Sequence, residues 1–365
     1  MYSYISQSSK TSFFLPLQNK YFQMPKFFFC LFALCLFAFS CKEKEDTIDV
    51  SHIQASAEIV RFDQALFSLD TSRWEASLGE LKSRYPHFWD IYSSHILPLT
   101  PDSSQYDKAL LAFVKDRQIR QLYDTTQLLI GSLDKYKDRT TEAFKTIKYY
   151  FPKFKEPTIY TFISEFGFQK FIFSDGNRDG IGIGLEMFLG SNYPYKAIDP
   201  TNPNFSAYLT RTFDKQYLTK KTIDLIVDDI VGSPGGVRLL DYMVYNGKKL
   251  YLLKKFLPSE PDSVIFEYTQ KQMDWVVDNE LEMWSFFTEQ NLVYETNVIK
   301  INKYINPSPD SPGMPADAPG QTANYIGYQM IRAYMDKQPQ TTMDQLMAEK
   351  DAQRILEVSK YKPKR

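Results

Sequence analysis

The residues best spaced for chemistry are Asp175-Gly176-Asn177-Arg178-Asp179-Gly180, followed by Glu186. Oxygen-bearing side chains fall at positions one, three, five and twelve with Gly at six, which is the spelling of a calcium loop. Alternate residues of a tight loop can aim carboxylates at one ion, so Asp175, Asn177, Asp179 and Glu186 form a candidate calcium set. The setting differs from a helix–loop–helix. Phe171-Ile172-Phe173 reads as strand, and Gly182 stands where a β-branched apolar residue normally sits. The plainer reading is an Asx-type hairpin turn, because Asp, Asn and Gly dominate turns on their own account. No metal and no other cofactor is assigned.

Carboxylates recur at Asp228-Asp229, Asp241, Glu280 and Glu282. Two of them on opposite sides of a bond could work as acid and base in a glycosidase, but solvated faces of helices explain them more cheaply. Histidine is scarce: His52, His87 and His95 are the whole supply. A His-dependent triad or an H-E-x-x-H zinc helix is therefore excluded from residue 96 onward. His87, between Pro86 and Phe88, reads as a packed or surface residue. Gly180, Gly182 and Gly184 alternate with Ile but lack the βαβ setting of a dinucleotide loop and the Lys-Ser/Thr of a phosphate loop. They read as close packing within a strand.

The remaining reactive side chain is a thiol. Cysteine occurs at Cys30, Cys35 and Cys41. The run Met24–Cys41 begins with a Lys at 26, continues as an apolar block and ends against Lys42-Glu43-Lys44-Glu45-Asp46, as a secretion signal does. It is shorter than the roughly 20 apolar residues that span a bilayer. Ala38-Phe39-Ser40-Cys41 resembles a lipoprotein cleavage site, at which Cys41 would be acylated and become the first residue of the mature chain. An ordinary secretion signal or an uncleaved anchor is the alternative. Several acyl chains on one Cys hold a protein firmly, whereas one does so marginally. Residues 1–23 fit neither signal nor domain, so translation is expected to start at Met24. With Cys30 and Cys35 in the signal at 24–40, the mature chain has no disulfide and no thiolate metal site.

The elements that must position these groups follow from pattern. Residues 41–56 read as a charged tether and 57–365 as one globular domain. The 44 acidic and 43 basic residues cancel to a net charge of −1, so no overall field favours nucleic acid, which is not an expected partner. Aromatics make up 16% of the chain, enough to fill a large core. Helical spacing follows Asp70 through Trp74, Leu78 and Leu81. After Pro101 there are two helical patterns, one on Leu110, Phe113, Val114 and Leu122, the other on Leu129, Leu133, Tyr136, Phe144, Ile147 and Tyr150. Thr158–Ile163, Phe171–Phe173 and Ile181–Leu185 read as two or three strands. Helices are expected over 213–231 and 238–256 around the Gly232–Gly236 break. Thr269 with Gln272 opens another that carries Met273, Val277, Trp284 and Phe287. A Pro-rich loop, 306–320, precedes a helix on Ile326, Met330, Ala333 and Tyr334, and Thr342 with Gln345 caps a last one. The fold class is a helix-dominated α+β domain with a small sheet.

Five stretches carry a resemblance to a family: Ile147–Phe154, Ile183–Gly190, Met243–Tyr251, Pro319-Gly320 with Tyr325–Tyr334, and Ser359–Lys364. They resemble the gliding motility lipoprotein GldB family. The resemblance implies an envelope lipoprotein needed for surface gliding and linked to protein-secretion machinery, anchored through Cys41 with its domain outside the cytoplasm. Its partners would be the membrane, through the lipid, and other gliding or secretion proteins, in a binding or scaffolding role without catalysis. The order strand, long helix, turn, helix from Ile181 to Phe256 is also similar, more distantly, to a zinc metallopeptidase scaffold. Where that scaffold would carry H-E-x-x-H this chain has Ile226-Val227-Asp228-Asp229-Ile230, and the later Glu ligand is replaced near Tyr245-Asn246-Gly247. A water acidified by zinc cannot be assembled from these residues. The cleft of such a scaffold, lined by Asn246, Lys248 and Tyr251, is expected to bind a peptide or partner protein. The competing readings are a degenerate or His-independent hydrolase of the envelope and a calcium-stabilised adhesin.

Overall fold

Side-chain alternation along one strand divides the molecule. The structure is a computed structural model that describes residues 48–363 apart from Pro101. Cys41, the signal at 24–40 and residues 1–23 lie outside the described residues, which fall in one compact unit. Strands β1 (Glu58–Val60), β2 (Thr158–Phe162), β3 (Lys170–Asp175) and β4 (Arg178–Gly184) form one sheet in the order β1-β2-β4-β3. β1, β2 and β4 are parallel and β3 is antiparallel to β4. All five residues of β2 are buried, as befits a strand covered on both faces. Tyr160 and Phe162 enter one hydrophobic core and Ile159 enters the other.

The first core is roofed by helices α1 (Phe62–Phe67), α2 (Trp74–Arg84), α3 (Pro86–Ile91), α4 (Ser103–Lys115) and α5 (Arg117–Ile130), with α6 (Asp134–Tyr150) passing to the other face. Phe88 stacks on Tyr160 with centroids 4.6 Å apart and rings 5° from parallel. The two helical patterns expected after Pro101 are three helices. Asp116 accepts from the N–H groups of Gln118 and Ile119 and so starts α5, which ends at Gly131 with φ +68°. Leu129 belongs to α5, not to the helix after it. A cap of one polar residue leaves helical spacing almost undisturbed, and the break does not register in an apolar pattern. The tether is already docked before residue 57: Lys148 Nζ donates to the Gln54 carbonyl at 3.1 Å and Ala55 packs on the core.

The alternating glycines of β4 lie beneath aromatic rings of β3. Gly180 pairs with Phe173 and Gly182 with Phe171. A Cβ at either glycine would come within 2.3 Å of the facing ring. Rings laid over glycine fill the space on one face while Ile181 and Ile183 fill the other.

The second core is covered by α6, α7 (Leu218–Val231), α8 (Leu239–Phe256), α9 (Gln270–Asp278), α10 (Glu280–Glu289), α11 (Val298–Ile305), α12 (Thr322–Lys337), α13 (Met343–Ala348) and α14 (Ala352–Ser359). Both expected capping boxes form, at Thr269/Gln272 and Thr342/Gln345. The helix expected to run from Met273 to Phe287 is two, because the chain leaves helical geometry at Asn279. Val276 is buried and Val277 is exposed. The Pro-rich loop is fixed by hydrogen bonds: Tyr304 Oη donates to the Pro312 carbonyl, Ser311 Oγ to that of Pro319, and Tyr268 Oη to that of Gly320.

The tightest contact in this layer joins α8 to α12. A Cβ at Gly327 would lie 1.8 Å from the Met243 carbonyl oxygen, and one at Gly247 would lie 2.3 Å from the Gly327 carbonyl. Neither neighbour is a side chain that could swing away. Gly327→Ala is expected to lower unfolding stability by about 1–3 kcal/mol or more through overpacking, and chemical denaturation compared with Gly79→Ala, where a Cβ meets nothing within 4 Å, checks it.

Candidate functional site: a lysine-lined double cleft

Helix α7 carries five charged residues, and two of them, Lys220 and Asp224, are buried. Lys220 and Asp224 lie one turn apart, 3.1 Å between Nζ and Oδ2. Lys170, at the start of β3, reaches the same Asp224 oxygen at 3.0 Å. Glu267 accepts Lys220 at 2.6 Å and Lys221 at 2.7 Å through one oxygen. Arg211 Nη2 donates to the Glu267 carbonyl at 2.5 Å. Glu267 itself holds φ +55°, a left-handed conformation that a glutamate adopts only under constraint. Burial opposes charge on every member. The facing carboxylates nevertheless hold Lys220 above the usual lysine range, and the lysines hold Asp224 and Glu267 below the usual carboxylate range. Lys170 goes the other way: burial lowers it, and Lys220 and Lys221 add to that against the pull of Asp224.

Two open clefts of about 440 and 490 Å³ adjoin at this network and share Glu267, Tyr268, Pro307 and Gln321. The first is walled by aromatic rings, among them Phe166, Phe205 and Tyr208, and reaches Arg211 and Lys221. The second is floored by α8 and α12 and reaches Lys170, Lys220 and Asp224.

The sequence-predicted residues separate around this site. Asn246 lines the second cleft and donates to Asn324 Oδ1 at 2.8 Å. Lys248 is not in the cleft: it is buried and donates to the Glu349 carbonyl, and burial lowers it to about 8. Tyr251 is half-buried beneath Lys255 and lines neither cleft. The reason is helical geometry, since residues two apart point about 200° away from one another. Asp228 pairs with Lys249 at 2.5 Å, and Asp241 caps α8 against Arg238. Asp241 and Glu280 are buried instead of lying on solvated faces, the latter accepting from Tyr361 Oη at 2.8 Å. His87 is exposed.

The four residues spelled as a calcium loop are not brought together. Asp175 and Arg178 close the β3–β4 hairpin, with Asn177 in its turn and Asp179 pairing with Ser174. Glu186 lies beyond the far end of β4, more than about 20 Å along the strand at 3.3 Å per residue. Its carboxylate is buried there. Oε1 accepts from the Ser164 N–H at 2.6 Å, the Ser164 hydroxyl at 2.8 Å and the Phe166 N–H at 3.2 Å. Glu165 and Phe166, at φ +52° and +67°, wrap the loop around it. Oε2 has no hydrogen-bond partner among the described residues. Among those residues no group of three or more His, Cys, Asp or Glu is placed to hold a metal.

Sequence reasoning missed Lys170, Lys220, Lys221, Asp224, Arg211 and Glu267. The available signal was Lys220 and Asp224 at i,i+4 on the same side of the helix as the apolar Ile223 and Val227.

Burial raises the Glu186 carboxyl to about 7, against the lowering effect of its hydrogen bonds. The fold therefore prefers the protonated form. That stabilisation is complete below the unfolded value of about 4.5 and is lost as pH rises through 7. Wild type is expected to lose about 2–3 kcal/mol relative to Glu186→Gln between pH 5 and pH 8, read from denaturant unfolding of both proteins at each pH.

No curated protein and no solved structure matches the chain. The zinc-metallopeptidase likeness thus rests on element order alone. No helix among the described residues is long and apolar enough to cross a membrane. A family model described as gliding motility protein GldB matches residues 43–363, which include every described residue. Of the stretches that carry the resemblance, Met243–Tyr251 and Tyr325–Tyr334 lie in the helices that meet at Gly247 and Gly327 and floor the second cleft. The chain belongs to the gliding motility protein GldB family.

Proposed function

We propose that this protein is a non-catalytic binding component of the gliding apparatus. Cys41 carries its lipid anchor, its domain faces away from the cytoplasm, and its partners belong to the gliding and associated secretion machinery. The family supports the setting. The observation that supports binding over catalysis is the state of the two buried carboxylates where the clefts adjoin, since the third that lines them, Asp228, is paired with Lys249. Asp224 and Glu267 are each held by two lysines and kept below the ordinary carboxylate range. A general acid needs the opposite shift, and a nucleophile or base needs lone pairs free to approach a substrate. A His-independent hydrolase built on this pair would have to break its own ion network first.

Cys41→Ser tests the anchor. The variant is expected to leave the membrane fraction, to lose the mass of the acyl chains and to fail to restore gliding to cells lacking the protein. A variant that stays in the membrane at unchanged mass overturns the anchor. A measurable turnover of peptide or glycan by the purified protein overturns the non-catalytic role.

A further inference from the structure

The lining of the two clefts holds five cations, Lys170, Arg211, Lys220, Lys221 and Lys249, against three carboxylates, Asp224, Asp228 and Glu267. The lining therefore carries two positive charges in excess: Lys249 pairs with Asp228, the other three lysines share Asp224 and Glu267, and among the described residues Arg211 reaches only the Glu267 carbonyl. Two donors at the first cleft are buried with no acceptor among the described residues: Arg211 Nη1 and Gln169 Nε2. Buried donors are almost always satisfied, so such a pair calls for an explanation.

A third observation is independent of charge. Among the described residues six non-glycine residues adopt positive φ, and three of them, Phe166, Glu267 and Gln321, line the first cleft. Glu267 and Gln321 also line the second. Strained backbone concentrates where a fold holds a site ready for a ligand.

We propose that the double cleft binds an extended peptide segment of a partner protein through an acidic side chain, received by Arg211 and Lys221, with flanking aromatic or apolar side chains against the rings of the first cleft. This rests on the partner-binding role and names its ligand chemistry. The cations sit where the two clefts adjoin, not at a closed end, which suits an acidic residue inside a segment that continues to both sides. Amides also line the clefts, Asn204 and Gln321 in the first and Asn302 in the second, and an amide side chain can both donate to and accept from peptide groups. The rings supply apolar area with few torsions to freeze.

The test uses the full chain in detergent and two pentapeptides blocked at both ends, Phe-Ala-Asp-Ala-Phe and its Asn counterpart, in calorimetric titration. The Asp peptide is expected to bind saturably and at least about tenfold tighter than the Asn peptide, as loss of a desolvated charge pair predicts. Lys221→Gln, which leaves Glu267 still paired with Lys220, is expected to abolish the difference between the two peptides. Tyr208→Ala, at the half-buried rim, is expected to weaken both alike. Equal affinity for the two peptides, or no binding of either at millimolar concentration whether or not a uronate oligosaccharide binds, overturns the inference. Mass spectrometry of the recovered peptide separates this from the parent reading, because a bound peptide that is cleaved removes the non-catalytic role and leaves the recognition intact.

Discussion

The arrangement of the cleft side of the molecule depends on two helices touching backbone to backbone. At Gly247 and Gly327 there is no room for a single methyl group, so α8 and α12 meet more closely than side chains would allow. That approach puts Asn246 and Asn324 within hydrogen-bond distance, and Asn324 in turn donates to the Ile305 carbonyl. One contact thereby ties three helices together and sets the floor of the second cleft. The family-bearing stretches on these helices contain the two glycines at which the backbones meet.

Above that floor, the buried ion network is balanced in an unusual way. Asp224 and Glu267 each hold two lysines, and Lys220 bridges them. Buried pairs contribute little net stability, because desolvation cancels most of the attraction, but they fix geometry strongly once formed. Here they fix a strand, a helix and a left-handed turn residue at one point. The cationic excess follows from the count of groups, since Asp228 is the one further carboxylate that lines either cleft among the described residues.

Much of the fold was legible in the sequence because its signals are local. Apolar spacing located the long helices, β-branched and aromatic runs located β2, β3 and β4, and both Thr-to-Gln capping boxes formed as written. The failures have physical reasons. Asp116 and Asn279 break helices without breaking the apolar rhythm. The site was far less legible. Lys170, Arg211, Lys220 and Glu267 come from separate segments, and nothing local announces that they converge. Asn246 and Lys248 are close in sequence and face opposite ways. Glu186 matched a cation-loop spelling, yet its Oε1 serves the turn at Ser164–Phe166. Spacing along a chain is informative only after the type of element is known.

The strand β1 is three residues long, and its register pairs Glu58 with Thr158. The partners stand 100 positions apart in the chain, and α1 to α6 with their connecting loops must be accommodated between them before the sheet can close. Such distant pairing makes assembly slow, since loop-closure entropy is spent before the contacts return it. The edge of β2 stays open for that whole interval, a template for any other extended chain nearby. For this architecture the hazardous moment is the one before β1 docks, when that edge has no partner.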